Sequence, residues 1–178
     1  MAAHALGQAA WSLYASGRHA EGLRHARDAV AALRELELRP DDTHLAQLLT
    51  LAGMIACGVG EFVSAHADLT EALAESRRCG ARRAEASALG ALAKLAQLAG
   101  SMDEAERLYD ERHAVAEAIG VVRSVAFAEL DRAWMRSEFG HHDGAVAALT
   151  RSETIAPLES PAMRVTAALV RARWHAAH

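Results

Sequence analysis

The amino-acid sequence predicts an all-α protein of stacked helix pairs, and three observations carry that expectation. Glycine stands at positions 60, 80, 100, 120 and 140, one every twenty residues. It is the residue that most readily ends a helix in the left-handed conformation. Alanine, the strongest helix former, supplies about a quarter of the chain, and no run of β-branched residues reads as a strand. The stretches on either side of each glycine alternate in character. Two of them therefore make one unit of about forty residues, and a fixed period of that size marks a repeat architecture.

The elements follow in order. A first helix over 2–16 carries Leu6 and, four residues on, the small Ala10. Gly17 opens a second helix, 19–38, with Gly22, Ala26 and Ala29 on one stripe. Pro40 takes the inter-unit turn, and Asp41 is suited to cap the helix 42–58, which holds Leu49 and Gly53. Gly60 precedes 61–78 with Ala65, Leu69 and Ala72. The third unit pairs 82–99, with Leu89 and Ala93, with 102–118, which is capped by Ser101 and holds Ala105 and Tyr109. The fourth pairs 122–139, with Ala133, with 142–155, holding Ala145 and Leu149. Pro157 marks the next turn, and Pro161 begins a last helix, 160–177, at a position where proline is tolerated. The chain reads as one domain of units 1–39, 40–80, 81–120 and 121–157, followed by a terminal helix, 158–178. A helix pair of this size cannot bury its apolar face alone, so the units stack into a continuous core. The small residues mark close helix crossings, and the leucines fill the gaps beside them.

Leu49, Ala52, Gly53, Gly60, Glu61, Phe62, Ala65, Leu69 and Ala72 resemble the signature of the tetratricopeptide repeat family. The resemblance covers nearly the whole chain, with a period of 40 residues (43 between the first two units) in place of the family's usual 34 or so. It implies a right-handed α-solenoid whose first helices line a concave groove. Units this long are also similar to those in the sensor regions of bacterial LuxR-type and antibiotic-regulatory activators, which implies a part in transcription regulation.

Aligning the first helices by their closing glycine puts Trp11, Met54, Lys94, Trp134 and Trp174 in one slot, so all three tryptophans share it. In a tetratricopeptide fold that slot looks into the groove. The neighbouring groove slots hold His4, Gln8 and Tyr14, then Gln47, Thr50 and Cys57, then Ser87 and Gln97, then Phe127, Asp131 and Ser137, and finally Arg171. One reading is a binding groove of aromatic platforms with polar side chains between them. Lys94 and Arg171 would meet carboxylates there, and Asp131 a cation. The other reading is that the tryptophans pack between adjacent first helices. Lys94 in the same slot favours the groove, because a fully buried position rarely accepts lysine.

The fourth unit departs from its pattern. Where the third has Leu89, Leu92 and Ala96, the fourth has Glu129, Arg132 and Arg136. Either this helix is rotated and the charges are solvated, or they form a charged pocket or docking patch in which Glu129 pairs with Arg132 or Arg136.

Other function classes find little support. Ten histidines are present, but none stands at HExxH or zinc-ligand spacing. Phosphate-binding glycine loops and nucleophile elbows are missing. A formal net charge of −4 gives no pull toward nucleic acid or anionic lipid. No run of eighteen apolar residues suggests a membrane span, and the N-terminus lacks the pattern of a signal peptide. Cys57 and Cys79 stand far apart and read as reduced thiols of a cytoplasmic protein. The sequence therefore points to a non-enzymatic module that binds a peptide or partner-protein segment, without a cofactor or metal. A small-molecule or catalytic pocket in the same groove is the alternative. Self-association through the terminal helix is a third reading.

Overall fold

The turn glycines dictate where the chain reverses. Gly17, Gly60, Gly80, Gly100, Gly120 and Gly140 all have φ between 68° and 85°, a region that costs other residues strain. Five of these turns close in the same way: the N–H after the glycine donates to the carbonyl five residues back. The pairs are Arg18 to Leu13, Glu61 to Ala56, Ala81 to Ser76, Ser101 to Ala96 and His141 to Arg136, at 2.8–2.9 Å. This is the long-range bond of a Schellman ending, and it satisfies a carbonyl that the helix itself leaves open.

The computed structural model describes residues 2–36 and 42–178, and side chains from residue 5 onward. Among the described residues the secondary structure is nine helices and no strand: α1 (Ala2–Ala15), α2 (His19–Arg34), α3 (His44–Gly58), α4 (Phe62–Arg78), α5 (Arg82–Leu98), α6 (Met102–Ile119), α7 (Val122–Glu138), α8 (His142–Ile155) and α9 (Pro161–Ala177). These follow the predicted spans closely, except that α2 ends at Arg34, where 38 was expected. Pro40 and Asp41 lie outside the described residues. Ser101 stands at the N-cap of α6 but makes no side-chain cap bond; its N–H is already turned back to Ala96. Ser160 does cap α9, accepting from the Met163 N–H at 3.2 Å, with Pro161 next to it.

Contacts divide the chain into two compact units, Met1–Leu95 and Ala96–His178, with the boundary inside α5. In the first, α1 packs on α2, α2 on α3 and α3 on α4. Its core joins Ala10, Leu23, Ala26, Ile55, Ala65 and Leu95. A second cluster brings together Val30, Leu49, Ala72 and Ala88. In the second unit α7 packs on α6 and α8, and α9 lies against both α7 and α8. Its core holds Leu130, Ala133, Ala145, Leu149, Met163 and Val170.

The small-residue stripe is where helices come closest. A Cβ placed on Gly53 would stand 2.5 Å from Cγ of Leu69 and 3.2 Å from the Ala65 carbonyl oxygen. Leu69 is itself fully buried and cannot swing away. Gly53→Ala should therefore destabilise the fold by about 1–3 kcal/mol through overpacking, although alanine is the better helix former. Chemical denaturation measures this. A stability equal to or above wild type would show that α3 and α4 do not cross this closely.

Candidate functional site

Among the described residues the Met1–Leu95 unit exposes two large aromatic side chains, Trp11 on α1 and Phe62 at the start of α4. Trp11 of α1 is 53% exposed. Its ring stands 5.9 Å from that of Tyr14, one helical turn on, and Tyr14 stands 5.1 Å from the ring of His19. Tyr14 also leans on the core, and its Cε2 and His19 Nδ1 each lie 3.9 Å from where a Cβ on Gly58 would stand. Gln8 is exposed, while Met54 and Lys94 are half-buried. Burial pushes the Cys57 thiol up, with the Lys94 ammonium opposing it, so Lys94 lies within electrostatic reach of this surface. The other predicted groove residues here differ. Gln47 is exposed and donates to Thr43 Oγ1 at 3.2 Å. Thr50 is buried and donates to the Ala46 carbonyl at 2.7 Å, so its hydroxyl is already used. The side chain of His4 lies outside the described residues.

In the Ala96–His178 unit the predicted groove residues are occupied with one another or with their neighbours. The Arg173 guanidinium lies 4.4 Å from the Trp134 ring centre, a cation–π contact, and Trp134 leans on the core cluster. Gln97 is buried, donates to Glu138 and accepts from the Tyr109 hydroxyl at 3.3 Å. Burial pushes that hydroxyl's pKa well up. Asp131 accepts from Arg112, where a ligand cation was expected. Arg171 donates to Glu153 at 2.6 Å. Trp174 donates from Nε1 to Asp143 at 2.8 Å and stacks near His178.

The charges of the fourth unit are not a solvated face. Glu129 is 1% exposed. One carboxylate oxygen accepts from Arg132 and the other from Arg151, both at 2.8 Å. His113 Nδ1 stands 3.1 Å away without hydrogen-bond geometry. Arg132 also reaches Asp110 and, at 3.9 Å, Glu106, while Arg136 reaches Glu106. Three carboxylates thus balance three guanidiniums across α6, α7 and α8. The expectation of a rotated, exposed helix is corrected: removing these charges from water requires pairing, and the neighbouring helices supply it. Asp110, His113 and Arg151 were not singled out from the sequence. Their signal was there, since Glu106, Asp110 and His113 fall at i, i+4 and i+7 and share one face of α6.

An open cleft of about 470 Å³ lies where α6 and α8 begin and α7 ends, lined by Met102, Asp103, Glu106, Arg136 and the turn Gly140–Gly144. Trp134 does not line it. Among the described residues no group of three or more histidine, cysteine or acidic side chains is arranged to hold a metal ion.

No family model matches the chain, and no curated protein matches it. Solved structures do. It is similar to aspartyl phosphate phosphatase F from Bacillus subtilis, with a TM-score of 0.83 and 13% identity, over 97% of this chain and 45% of that one. It is similar to a Rap protein complexed with competence and sporulation factor, with a TM-score of 0.77 and 18% identity, over 97% of this chain and 43% of that one. BtubC from P. vanneervenii gives a TM-score of 0.73 and 16% identity, over 92% of this chain and 69% of that one. The chain spans less than half the length of the first two. The fold is a tetratricopeptide-like helical repeat.

Two substitutions separate buried pairing from surface decoration. Glu129→Ala leaves two guanidiniums without their shared carboxylate and should cost about 3–5 kcal/mol. Glu71→Ala, which breaks an exposed pair with Arg34, should cost about 1 kcal/mol or less. Equal costs in urea denaturation would contradict the buried network. Trp134→Ala should likewise cost about 3 kcal/mol or more by emptying packed volume, whereas Trp11→Ala should stay within about 1 kcal/mol.

Proposed function

We propose that this chain is a non-enzymatic binding module that recognises a peptide or an extended segment of a partner protein on the first-helix face of its Met1–Leu95 unit. The observation that carries the reading is the ring row Trp11–Tyr14–His19, with Trp11 53% open to solvent and Tyr14 and His19 half-buried beside it. Stiff aromatic side chains give large contact area at low entropic cost and recur as binding hot spots. Met54 adds an adaptable apolar surface, and Lys94 a cation for a carboxylate of the bound segment. A similar fold in complex with competence and sporulation factor supports a binding role.

The likeness of the long units to bacterial regulators extends the proposal to a sensory part in transcription control in the cytoplasm. No helix among the described residues is long and apolar enough to cross a membrane. A small-molecule or catalytic pocket is the weaker reading. The one cleft described above is open, stands apart from the tryptophans, and has Arg136 already tied to Glu106.

Selection of a random peptide library against the immobilised protein tests the proposal. Wild type should enrich a related set of sequences. Trp11→Ala should weaken their binding by about 2 kcal/mol, as for a typical hot spot, with the thermal midpoint unchanged. Enrichment that Trp11→Ala and Tyr14→Ala leave intact would remove the aromatic row from the site.

A further inference from the structure

Helix α9 presents three faces. Met163, Ala167 and Val170 are buried against the rest of its unit. A second face is polar, with Arg164 donating to the carbonyls of Leu158 and Glu159 and Arg171 to Glu153. The third is apolar and open. Ala162, Val165, Leu169, Ala172 and Ala176 follow one another at alternating steps of three and four residues and are all exposed, Val165 at 58% and Leu169 at 45%. That spacing makes a straight stripe on a helix.

Elsewhere in this chain the same face receives a helix. The residues aligned with Leu169 are Leu6, which is half-buried, and Leu49, Leu89 and Glu129, which are fully buried, and Leu49 sits against Ala72 of α4. A helix crossing at that same distance does not fit α9, however. The slot that holds Gly53, Ala93 and Ala133 holds Arg173 in α9, and at Gly53 the facing Leu69 leaves no space for even one carbon. Arg173 is held beside the stripe by Trp134, by Ser137 at 3.1 Å and by Glu138 at 3.9 Å. An incoming helix must cross further round, over the alanines.

The stripe is complementary to itself. Turned antiparallel about a two-fold axis at Leu169, it sets Leu169 against its own copy, Val165 against Ala172, and Ala162 against Ala176. The one leucine pair sits on the axis, and on either side of it valine faces alanine and alanine faces alanine. The flanking Thr166 faces Arg173 and no like charges meet, while Arg164 and Arg171 stay on the far side. The stripe carries no charge by which a foreign acidic or basic helix would be selected. We propose that α9 is the seam of a homodimer, two copies paired antiparallel through Ala162, Val165, Leu169, Ala172 and Ala176. The interface is isologous, and one helix pair is a small contact, so the dimer is a reversible one.

The 178-residue chain tests this by sedimentation velocity from low micromolar to millimolar concentration. The mass should rise with concentration toward twice the 19.0 kDa of one chain. Leu169→Glu should lower the association constant about tenfold or more with unchanged helicity and thermal midpoint, because Leu169 is half exposed in the monomer. Oxidation of Leu169→Cys should trap a covalent dimer, since the axis brings that position together with itself. Arg164→Cys, on the polar face, should give only the background due to Cys57 and Cys79. A wild type that stays monomeric throughout overturns the proposal. So does a dimer that Leu169→Glu leaves intact, or one that Arg164→Cys traps as well as Leu169→Cys does.

Discussion

Two helices can exclude water along their length only where the residues at the crossing have almost no side chain. In the Met1–Leu95 unit that condition is met by Gly53 and Ala65, with Leu69 filling the space a Cβ on Gly53 would need. In the Ala96–His178 unit Ala133, Ala145 and Ala148 meet it. Much else follows. A backbone approach this close gives little room for aromatic side chains in the interior, and only 4% of the chain is aromatic. Tyr109 of α6 is buried, whereas Trp11 of α1 and Phe62 of α4 stand at the surface. The stripe of small residues therefore decides where rings such as Trp11 can stand.

The Ala96–His178 unit shows what happens when a gap beside the crossing is filled by charge. Leu49 and Leu89 are fully buried apolar fillers; Glu129 takes the same slot and is equally buried. A lone carboxylate there would be prohibitive, so Arg132 and Arg151 close on it from two sides. Such a network adds little stability over a leucine. It adds register, because α6, α7 and α8 must align Glu106, Asp110 and Arg151 with their partners at the same time. A leucine tolerates sliding along its neighbour, whereas paired guanidiniums do not.

How much of this was legible in the sequence depended on whether a feature was local. The turn glycines were legible because φ near 75° is a property of one residue, and the helices between them followed. Ser101 misled as a cap because residue type places an oxygen at the N-cap without fixing its direction, and here the side chain makes no cap bond. The burial of Glu129 was one of two open readings: of the two guanidiniums that neutralise it, Arg151 lies on another helix, 22 positions away, and Arg132 is itself shared with Asp110 of α6. His113 went unnoticed because a histidine on α6 is meaningful only once Glu129 is seen opposite.

The tryptophan slot carries the same lesson into function. Trp11, Trp134 and Trp174 occupy one position of the repeat, yet their surroundings differ. Arg173 lies over Trp134, and Asp143 takes the Trp174 indole proton. Among the described residues Trp11 has Tyr14 near it, with ring centres 5.9 Å apart, and stays more than half exposed. Repeat spacing fixes the direction in which a side chain leaves its helix; the neighbours decide whether it is covered. A ring already satisfied by a cation and a packed core has little left to offer a ligand, while one more than half exposed keeps a face available. The proposed binding surface therefore rests on Trp11 of α1, even though the periodic pattern distributes tryptophan along the whole length of the chain.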